Sequence, residues 1–409
     1  MGHPCIIIGA SHAAAQLAPS LRQEGWQGPI LVIGDEPSIP YHRPPLSKAY
    51  LLGEKSASDL YIRPAASYAQ HDISFRLGER VERIDREGHT LTLSSGETLA
   101  YAKLAICTGT RVRRVDLPGD DLKGVHYLRS MADIDRIKAY VREGAKAVIV
   151  GGGYIGLETA AVLRTLGVQV TVLEAAPRVL ARVTAPEVSE FFARVHAEEG
   201  VDLRTAMSVC ALDGQGSVER VVCNDGQVFA ANLVIIGIGV LPNVELAADA
   251  GLAIDNGILV DECARTADPD IVAVGDCTRH PSPWYGSIRL ESVPNATEQA
   301  KSAAAALCGK HKPYASLPWF WSDQFDIKLQ IAGLNQGYDQ VVVRGDYRQG
   351  RSFCVFYLNQ GRLIAADCIN RPQEFLFSKR LIAERMAVTA AQLADESLPF
   401  KSLLDVAAV

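Results

Sequence analysis

Residues 147–156 read Ala-Val-Ile-Val-Gly-Gly-Gly-Tyr-Ile-Gly, which is the clearest fold signal in the chain. Its first four residues are all apolar, which predicts a strand buried on both faces, as the strands of a parallel sheet are. Gly151, Gly153 and Gly156 follow at the spacing Gly-x-Gly-x-x-Gly, and a helix runs from there to about Leu166. A strand, this glycine turn and a helix in succession predict a dinucleotide-binding fold.

Each of the three glycines in this fingerprint has a separate physical task. The first makes the tight turn, the second lets a pyrophosphate approach the backbone, and the third lets the helix pack closely on the strand. Glu174 stands 23 residues after Gly151, at the end of the next strand. A carboxylate there accepts hydrogen bonds from an adenine ribose and repels a 2′-phosphate, which favours NADH over NADPH. The alternative is a glycine turn with only a structural role.

A less regular copy of the same pattern stands near the N-terminus. After the apolar strand 5–8, the turn reads Gly9-x-Ser11-x-x-Ala14, and a helix follows. Alanine is accepted at the third position, but Ser11 places a hydroxymethyl group where the pyrophosphate should pass. Asp35 lies 26 residues after Gly9, again at a strand end. The copies begin about 140 residues apart, which predicts two homologous domains and not a solenoid.

Three further strands end in turns that could cross a cofactor site. The apolar strand that starts at Ile271 leads to Asp276, and an aspartate there can hold a ribityl hydroxyl of a flavin. Another apolar strand ends in Thr108-Gly109, and Gly239 ends the corresponding strand of the second copy. The alternative is that these glycines only terminate the strands of a sheet.

The segments outside the two copies predict smaller antiparallel sheets. Residues 74–84 and 89–93 are expected to be strands, with Ser95-Gly96 as a turn. Residues 218–222 and 228–231, on either side of Asp225-Gly226, repeat this hairpin-like pattern in the second copy. From about Ser316 onward the pattern predicts a separate α+β domain, with strands at 341–344, 352–358 and 362–368 and a helix near 379–386.

The composition is that of a globular protein without an excess of positive charge. Of the 409 residues, 48% are hydrophobic and 22% are charged, and 41 basic against 47 acidic side chains give a net charge of −6. This balance argues against a disordered chain and against a nucleic-acid binder. No apolar run approaches the roughly 18 residues of a membrane helix. The nine cysteines are scattered without a Cys-x-x-Cys pair. We therefore expect a cytoplasmic protein with no membrane association and no metal site.

Taken together, these motifs resemble a known superfamily. The Gly9 turn, Thr108-Gly109, residues 151–158 and residues 273–276 resemble the glutathione-reductase-like two-dinucleotide flavoproteins. Three other stretches narrow the resemblance to the FAD-dependent ferredoxin reductases of oxygenase systems, and it extends over essentially the whole chain. These stretches read Arg43-Pro-Pro-Leu-Ser-Lys48, Glu291-Ser-Val-Pro-Asn-Ala296 and Pro318-Trp-Phe-Trp-Ser-Asp-Gln324.

The resemblance implies an α/β fold with two Rossmann-like dinucleotide-binding domains and a C-terminal α+β domain. Residues 1–112 and 240–315 would bind FAD, residues 113–239 would bind NADH, and residues 316–409 would cover the flavin. It further implies an enzyme, an FAD-dependent NADH:ferredoxin oxidoreductase. A hydride would pass from NADH to FAD, and single electrons would pass to a [2Fe–2S] ferredoxin that serves a cytochrome P450 or a ring-hydroxylating dioxygenase.

The fingerprints and the resemblance together predict two sets of cofactor-binding residues. In the FAD set, Asp35 should hold the adenosine ribose and Asp276 the ribityl chain, and the full set is Gly9, Ser11, Ala14, Asp35, Arg43, Lys48, Val81, Thr108, Gly109, Arg129, Asp276 and Val293. The NAD set is Gly151, Gly153, Tyr154, Ile155, Gly156, Glu158, Glu174, Arg182, Gly239 and Glu291.

Lys48, Glu158 and Trp321 are the expected catalytic residues. The resemblance places Lys48 beside the isoalloxazine ring and pairs it with Glu158, and a cation there would stabilise the anionic reduced flavin. The alternative for Lys48 is a surface lysine that opens a helix. Trp321 would lie at the flavin edge, on the way to the iron–sulfur protein. The alternative is that Trp319 and Trp321 only pack against each other.

Residues 41–50, which follow the second strand, contain no cysteine. Thiol-dependent relatives carry a redox cysteine there or on a helix near the flavin, so electrons should pass to an external carrier. A rubredoxin reductase or an NADH oxidase on the same scaffold is the alternative among enzymes. A flavin-binding interaction protein that senses NADH is the alternative outside them.

The expected partner is an acidic ferredoxin that docks on the FAD and C-terminal domains through local basic residues. Lys301, Lys310, Arg380 and Lys401 are the candidates, although each could be an ordinary solvated charge. The protein is expected to be a monomer or a weak homodimer.

Overall fold

The computed structural model describes residues 2–406. Residue 1, with which the predicted FAD-binding domain begins, lies outside the described residues. So do residues 407–409, with which the predicted C-terminal domain ends. The chain divides into two compact units. The first unit consists of the chain up to Arg43, Ala57–Arg111 and Val240–Pro318, and the second consists of Pro44–Ser56, Val112–Gly239 and the chain from Trp319 onward. The division into three domains at residues 112, 239 and 315 stays a prediction.

The strands of the described residues are short, between two and eight residues each. In chain order they are β1 Cys5–Ile8, β2 Ile30–Gly34, β3 Ile73–Leu77, β4 Val81–Asp85, β5 Thr90–Leu93, β6 Thr98–Ala100, β7 Lys103–Ile106, β8 Thr110–Val112, β9 Val125–Tyr127, β10 Lys146–Val150, β11 Gln169–Leu173, β12 Asp202–Arg204, β13 Val209–Asp213, β14 Arg220–Cys223, β15 Val228–Ala230, β16 Leu233–Ile236, β17 Val240–Pro242, β18 Ile258–Leu259, β19 Ile271–Ala273, β20 Thr278–Ser282, β21 Gly286–Ile288, β22 Trp319–Gln324, β23 Ile327–Gly333, β24 Gln340–Gly345, β25 Phe353–Asn359 and β26 Arg362–Ile369.

The α-helices are likewise numbered in chain order. They are α1 His12–Glu24, α2 Ala65–Ala69, α3 Met131–Lys138, α4 Tyr154–Thr165, α5 Pro186–Glu198, α6 Glu245–Asp249, α7 Val293–Leu307, α8 Pro372–Ala383, α9 Ala390–Ala394 and α10 Ser402–Val406. A π-helical turn spans Leu46–Tyr50, and a 3₁₀ turn spans Ser58–Leu60.

The first unit is built around a parallel sheet with strand order β19–β7–β1–β2–β3. The central strand β1 pairs in parallel with β2 and β7, and Cys5 lies opposite Ile30 and Lys103. Alanines of α1 and α7 pack against apolar residues of β1 and form a core on one face of the sheet. Gly25 then ends α1 in the left-handed conformation, with φ 102°. The first strand–turn–helix pattern is therefore formed as predicted.

One predicted strand, residues 74–84, is two strands in the structure. Gly78, with φ 73°, turns the chain between β3 and β4. β3 joins the parallel sheet beside β2, and only β4 forms the expected antiparallel pair with β5. The prediction was wrong for β3 because a single glycine that reverses the chain leaves the apolar pattern on either side unchanged.

The second unit contains a parallel sheet of the same design, with order β12–β11–β10–β16–β9. β10, which comes from the stretch at residues 147–150, takes the central place that β1 has in the first unit. The antiparallel strands β13, β14 and β15 form the predicted smaller sheet. Two Rossmann-like sheets, each with a glycine turn after its central strand, confirm the predicted α/β class.

The C-terminal part of the second unit is an antiparallel sheet with order β22–β23–β26–β25–β24, which agrees with the predicted α+β character. The helix predicted near residues 379–386 was wrong in its position, because α8 spans Pro372–Ala383. Pro372 sits in the first helical turn, where a missing N–H is tolerated, and Arg385 leaves the helix with φ 54°.

Two further features concern the length and hydropathy of the helices and the state of the cysteines. Within residues 2–406, no helix is both long enough and apolar enough to cross a membrane. All nine cysteines are free thiols, and two of them, Cys354 and Cys368, face each other across β25 and β26 in the core of the C-terminal sheet.

A buried tyrosine–aspartate pair lies in this C-terminal sheet. The hydroxyl of Tyr357 on β25 donates to Oδ2 of Asp367 on β26 over 2.5 Å. The same hydroxyl accepts a hydrogen bond from the backbone N–H of Ala185 over 2.9 Å. Burial raises the pKa of Asp367 to about 7, and the hydroxyl of Tyr357 offsets part of that rise. The carboxyl is therefore an acid that titrates near neutral pH.

We expect Asp367→Asn to reduce the pH dependence of stability. The folded-state pKa near 7 lies above the ordinary value of 3.8, so the wild-type protein loses stability as pH rises from 3.8 to about 7. The full loss corresponds to about 4 kcal/mol. An asparagine does not ionise, so the variant should gain thermal stability relative to the wild type between pH 5 and pH 8, as measured by melting temperature.

Asp326→Asn, an exposed aspartate between β22 and β23, is the matched control. If the difference in melting temperature between Asp367→Asn and the wild type were the same at both pH values, the raised pKa would be contradicted.

Candidate functional site

The three glycines of the second copy are each required for a different reason. Gly151 has φ 113°, and a Cβ atom on it would lie 2.4 Å from the carbonyl oxygen of Gly237. A Cβ on Gly156 would lie 2.2 Å from the carbonyl oxygen of Gly151. At Gly153, by contrast, no atom of the described residues lies within 4 Å of an added Cβ. The turn is thus closed at its first and third glycines and open at the second, where a pyrophosphate approaches the backbone.

The N-terminus of α4 is open to an anion. Gly153 precedes the helix, so it has no side-chain cap, and its first turn contains no acidic residue. The unpaired N–H groups and the helix dipole therefore favour a phosphate there. Tyr154 is half-buried: its ring centroid lies 4.9 Å from that of Phe320, and burial raises the pKa of its hydroxyl. Ile155 is the exposed member of this turn.

Glu174 lies against the same turn. Its Oε2 accepts a hydrogen bond from the N–H of Gly152 over 2.6 Å, and its Oε1 accepts one from Ala176 over 2.7 Å. Each carboxylate oxygen keeps a further lone pair for a ribose hydroxyl. The two backbone bonds fix the carboxylate beside the fingerprint, where it would accept from an adenine ribose.

Arg182 and Gly239 come close together in the second unit. A Cβ atom on Gly239 would lie 3.7 Å from Nη2 of Arg182, and Gly239 itself has φ 104°. Arg182 is exposed and lies in the loop that starts at Glu174. The predicted NAD residues of this unit therefore gather at one edge of the sheet, the edge at which parallel strands end and ligands bind.

The first unit repeats the close turn at Gly9. This glycine has φ 104°, and a Cβ atom on it would lie 2.2 Å from the carbonyl oxygen of Cys107. α1 follows with no side-chain cap from Ser11 and no acidic residue in its first turn. Ala14 is buried within the helix, as the close packing of helix and strand requires.

The hydroxyl of Ser11 accepts a hydrogen bond from an arginine. Nε of Arg43 donates to Oγ of Ser11 over 3.1 Å, and Nη2 of Arg43 donates to Glu36 over 2.5 Å. Burial works against the charge of Arg43, but Tyr41 and Glu36 outweigh it and raise the pKa of the guanidinium. A cation is thus held at the N-terminus of α1. Glu36 was missed from the sequence because the neighbouring Asp35, which is exposed, has the expected spacing.

Asn243 locks the turn at Thr108 and Gly109. The hydroxyl of Thr108 donates to the carbonyl oxygen of Asn243, and Nδ2 of Asn243 donates back to the carbonyl oxygen of Thr108, each over 2.8 Å. The N–H of Asn243 donates to the carbonyl oxygen of Gly109. Nothing in the sequence pattern around Asn243 pointed to this role.

The remaining FAD candidates of the first unit lie at strand and helix ends. Val81 begins β4, and Val293 is the first residue of α7. Asp276 follows Gly275, which has φ 86°, and its carbonyl oxygen accepts from Nη1 of Arg289.

Buried polar atoms of the first unit fit a polar cofactor. Oδ1 of Asn295, Nε2 of Gln299 and Oγ1 of Thr110 are buried and have no hydrogen-bond partner among residues 2–406. Unpaired buried polar atoms are costly, so such atoms mark places where a ligand can complete the hydrogen bonding. With the closed turn at Gly9 and the cation at Arg43, these atoms fit FAD.

Lys48 and Glu158 form an ion pair in the second unit. Nζ of Lys48 lies 3.0 Å from Oε1 of Glu158 and 3.6 Å from Oδ2 of Asp323. Lys48 stands in the π-helical turn with φ −129° and ψ −114°, so it does not simply open a regular helix. Glu158 is buried on α4, and a buried carboxylate needs partners of this kind.

Two serine hydroxyls donate hydrogen bonds to the carboxylate of Glu158. Ser47 donates to Oε2 over 2.8 Å, and Ser322 donates to Oε1 over 2.7 Å. Gln324 donates to Ser322, and its Oε1 lies 2.8 Å from Nε2 of the buried His196. Both serines lie in the quoted motifs, but only the fold reveals that they converge on one carboxylate.

Trp321 belongs to an aromatic cluster on the C-terminal sheet. Its ring centroid lies 5.5 Å from that of Trp319, which in turn lies 5.8 Å from Phe375. Nζ of Lys379 sits 4.9 Å from the centroid of Trp319. The two indoles therefore contact each other, and Lys379 adds a cation that the sequence interpretation missed.

Three predicted residues fall in the unit that does not contain most of their set. Lys48 and Arg129 belong to the second unit, whereas the other FAD candidates belong to the first. Glu291 belongs to the first unit, where it pairs with Arg289 over 2.7 Å, whereas the other NAD candidates belong to the second. The roles of all these residues stay predictions.

One group among the described residues has the composition of a metal site. Potential ligand atoms of Glu262, Cys263 and His311 lie within 4.8 Å of one another. His311 and Glu262 are exposed and form a long contact of 3.4 Å, and Cys263 is buried beneath them. The predicted absence of a metal stays a prediction.

Comparisons with known proteins agree with this site. The pyridine nucleotide-disulphide oxidoreductase family matches residues 3–300, and the reductase C-terminal family matches residues 319–404. The chain belongs to the pyridine nucleotide-disulphide oxidoreductase family. It is therefore an oxidoreductase, and its cofactors are FAD and NAD(H), as the fingerprints and the resemblance together implied.

Individual members of the family match the chain along its whole length. Putidaredoxin reductase of Pseudomonas putida is 44% identical and covers 98% of this chain and 97% of its own. The ferredoxin–NAD(+) reductase component of an anthranilate 1,2-dioxygenase system from Burkholderia cepacia is 42% identical, with 98% and 99% covered. A crystal structure of a covalent putidaredoxin reductase–putidaredoxin complex matches with a TM-score of 0.97 at 44% identity, over 100% of this chain and 99% of that one. The resemblance to ferredoxin reductases is confirmed.

We expect Gly153→Ala and Gly156→Ala to weaken NADH binding for different reasons. An added Cβ at Gly153 meets no atom, so the fold should be retained while the approach of the pyrophosphate is blocked, with an affinity loss of about tenfold or more. At Gly156 the added Cβ would lie 2.2 Å from a carbonyl oxygen, so the helix must shift and the melting temperature should fall as well. Calorimetric binding of NAD⁺ and thermal melting separate the two effects. A Gly156→Ala protein that melts like the wild type would contradict the packing argument.

We expect Lys48→Met and Glu158→Gln to be strongly non-additive. Glu158→Gln replaces one of the two oxygens that accept from hydroxyls by an NH2 group and leaves Lys48 without its buried anionic partner, which should cost about 2–4 kcal/mol. The double variant should lose less than the sum of the two single variants, with a coupling energy of about 1–3 kcal/mol. Chemical unfolding of the four proteins measures this cycle, and additive losses would contradict a coupled pair.

Proposed function

We propose that this protein is an FAD-dependent NADH:ferredoxin reductase that delivers electrons to a [2Fe–2S] ferredoxin of an oxygenase system, either a cytochrome P450 or a ring-hydroxylating dioxygenase. One observation carries the proposal. The chain has two dinucleotide-binding turns and no cysteine in residues 41–50, where thiol-dependent relatives have one. Electrons that enter from NADH therefore leave to an external carrier.

The second unit binds NADH through fixed backbone and a fixed carboxylate. The uncapped N-terminus of α4 takes the pyrophosphate, and the open space at Gly153 allows its approach. Glu174 accepts from the adenine ribose and disfavours a 2′-phosphate, which supports NADH as the donor. Arg182, near Gly239, supplies a positive charge on the exposed side of the same edge.

FAD, when bound, accepts two electrons together from NADH and releases them singly, which is the conversion that a one-electron iron–sulfur carrier requires. The first unit would hold it with the N-terminus of α1, with Arg43, and with the buried polar atoms of Thr110, Asn295 and Gln299. These groups are fixed before the cofactor binds, so they orient it without a reorganisation cost.

Lys48 supplies a positioned cation. Oε1 of Glu158 lies 3.0 Å from its ammonium group and also accepts from the hydroxyl of Ser322, while Oε2 accepts from the hydroxyl of Ser47. These contacts fix the direction of the Lys48 side chain, which starts from a π-helical turn. We propose that this cation stabilises negative charge on the reduced flavin.

The second unit offers an exposed docking face on α8. Leu376 is 61% exposed and is followed one turn later by Arg380, and Lys379 lies over the ring of Trp319. An apolar side chain with basic neighbours fits an acidic protein partner. Arg380 already pairs with Glu384, over 2.8 Å, so part of its charge is balanced.

The other docking candidates are weaker. Lys301 pairs with Glu298, over 2.6 Å, and Lys310 pairs with Glu24, over 3.0 Å, while Lys401 is exposed ahead of α10. We propose that α8 contributes more to docking than these lysines, and that the protein acts as a monomer or a weak homodimer. Nine cysteines without a disulfide support a cytoplasmic location.

The function is tested by NADH consumption of the FAD-loaded protein in air, with and without a [2Fe–2S] ferredoxin and with cytochrome c as the reporter. We expect a slow rate alone and an increase of about tenfold or more with ferredoxin. A fast rate without ferredoxin would indicate an NADH oxidase, and stimulation by rubredoxin alone would indicate a rubredoxin reductase. A negligible rate with both carriers, together with a long-lived NADH complex, would indicate an interaction protein.

The same assay tests the docking face. Arg380→Glu should raise the KM for ferredoxin about five- to tenfold at low salt, with ferricyanide reduction unchanged. Arg220→Glu, an equally exposed arginine on β14, is the control. An equal effect of both substitutions would reflect net charge and would contradict docking on α8.

A further inference from the structure

The loop from Glu174 to Ala185 carries Arg182 and is held on one side by the nucleotide-binding turn. The N–H of Leu180 donates to the carbonyl oxygen of Gly152 over 3.0 Å. Inside the loop, the guanidinium of Arg178 donates to the carbonyl oxygens of Ala181 and Thr184 over 2.9 and 2.8 Å. The NAD-binding part of the chain therefore holds the loop at Leu180, Ala181 and Thr184.

The C-terminal part of the chain adds two contacts to the same loop, at Val183 and Ala185. Nδ2 of Asn335, which follows β23, donates to the carbonyl oxygen of Val183 over 3.2 Å. The N–H of Ala185 donates to the hydroxyl of Tyr357 over 2.9 Å. That hydroxyl donates in turn to Asp367 over 2.5 Å, so its orientation is set from within the sheet.

The residues of the sheet that hold the loop are buried, whereas the loop residues Arg182 and Val183 are exposed. Tyr357 and Asp367 are 0% and 1% exposed, whereas Val183 is 40% exposed and Arg182 is also at the surface. An exposed loop tip keeps one conformation only if fixed groups hold its backbone. The tyrosine hydroxyl has no freedom to turn elsewhere, because it accepts from Ala185 and donates to the carboxyl at the same time.

We propose that Tyr357 and Asn335 are positioning residues for NADH binding: the C-terminal sheet holds the backbone at Val183 and Ala185, and thereby holds Arg182 at the NADH site. The proposal rests on the proposed function, since it requires NADH to bind at the fingerprint of the second unit. It assigns the C-terminal sheet a part in donor affinity, separate from the part that its helix α8 plays in docking the electron acceptor.

The physical consequence is confined to binding. If the hydrogen bond to Ala185 is lost, the loop gains conformations in which Arg182 does not face the dinucleotide, and the competent fraction falls. Affinity for NADH decreases by that fraction, while a bound NADH still adopts the same position at the turn. The rate of hydride transfer from saturating NADH should therefore stay unchanged.

The experiment compares Tyr357→Phe with the wild type as FAD-loaded proteins. Anaerobic stopped-flow reduction of the flavin gives an apparent Kd for NADH and a limiting rate, and calorimetry gives the Kd of NAD⁺. We expect both dissociation constants to rise about three- to tenfold, the value of one hydrogen bond, with the limiting rate within about twofold of the wild type.

The matched control is Tyr127→Phe. The hydroxyl of Tyr127 also accepts from a backbone N–H in the second unit, that of Val115 over 3.1 Å, but it is not part of the loop. A general weakening of the fold would affect both variants, whereas the proposal predicts an effect of Tyr357→Phe alone. Asn335→Ala, at the edge of the sheet, provides the same test without removing a buried group.

A double variant tests whether the effect runs through Arg182. Arg182→Ala should weaken NADH binding, and addition of Tyr357→Phe should change the Kd by less than about twofold further. Unchanged dissociation constants in both Tyr357→Phe and Asn335→Ala would overturn the proposal, and so would a fall in the limiting rate at constant Kd. A wild-type flavin that NADH does not reduce would instead contradict the proposed function, and the positioning role with it.

Discussion

The carbonyl oxygen at the end of a neighbouring strand occupies the space that a side chain on the first glycine of each nucleotide-binding turn would need. The oxygen of Cys107 excludes a Cβ from Gly9, and the oxygen of Gly237 excludes one from Gly151. Because each turn lies this close to the next strand, the helix that follows begins directly above the edge of the sheet. Its N–H groups then face the same edge at which the strand ends place their polar residues, and a dinucleotide meets all of them together. The geometry of both nucleotide-binding sites therefore depends on the close contact between the first glycine of the turn and this carbonyl oxygen.

Buried charge sets the second constraint, and the chain meets it in two ways. Glu158 pairs with a lysine and accepts hydrogen bonds from two serine hydroxyls. Among residues 2–406, Asp367 has only the hydroxyl of Tyr357 as a side-chain partner, and burial raises its pKa to about 7. A carboxylate with a cation partner can serve as a fixed electrostatic element at a reacting centre. A carboxyl whose charge is disfavoured serves better as a structural acceptor, and it orients a hydroxyl that reaches into another part of the unit.

The sequence predicted those features that depend on local order along the chain. Both strand–turn–helix patterns and the two sets of turn residues follow from glycine spacing and apolar runs, which report backbone geometry directly, whereas FAD was implied by the resemblance to a known family. Features that depend on distant partners were not predictable in this way. Asn243 reaches Thr108 across 135 positions, and Ser322 reaches Glu158 across 164, so no local pattern signals either bond. The position of α8 was also missed. The helix begins at Pro372, seven residues before the segment 379–386 in which it was predicted.

Ser11 is the one departure from the fingerprint, and the structure shows how it is accommodated. A serine before a helix ordinarily caps the first N–H groups, and a cap there would compete with a phosphate for the same donors. Here the Ser11 hydroxyl accepts from Nε of Arg43 and makes no cap bond with α1. Glu36 holds the other side of the guanidinium, so that the arginine is fixed at the N-terminus of the helix. The added hydroxymethyl group therefore costs space but leaves the helix donors available and orients a cation beside them. Since charge-assisted bonds to phosphate are the stronger kind, an arginine held in this way can offset the closer approach that a second glycine would have allowed.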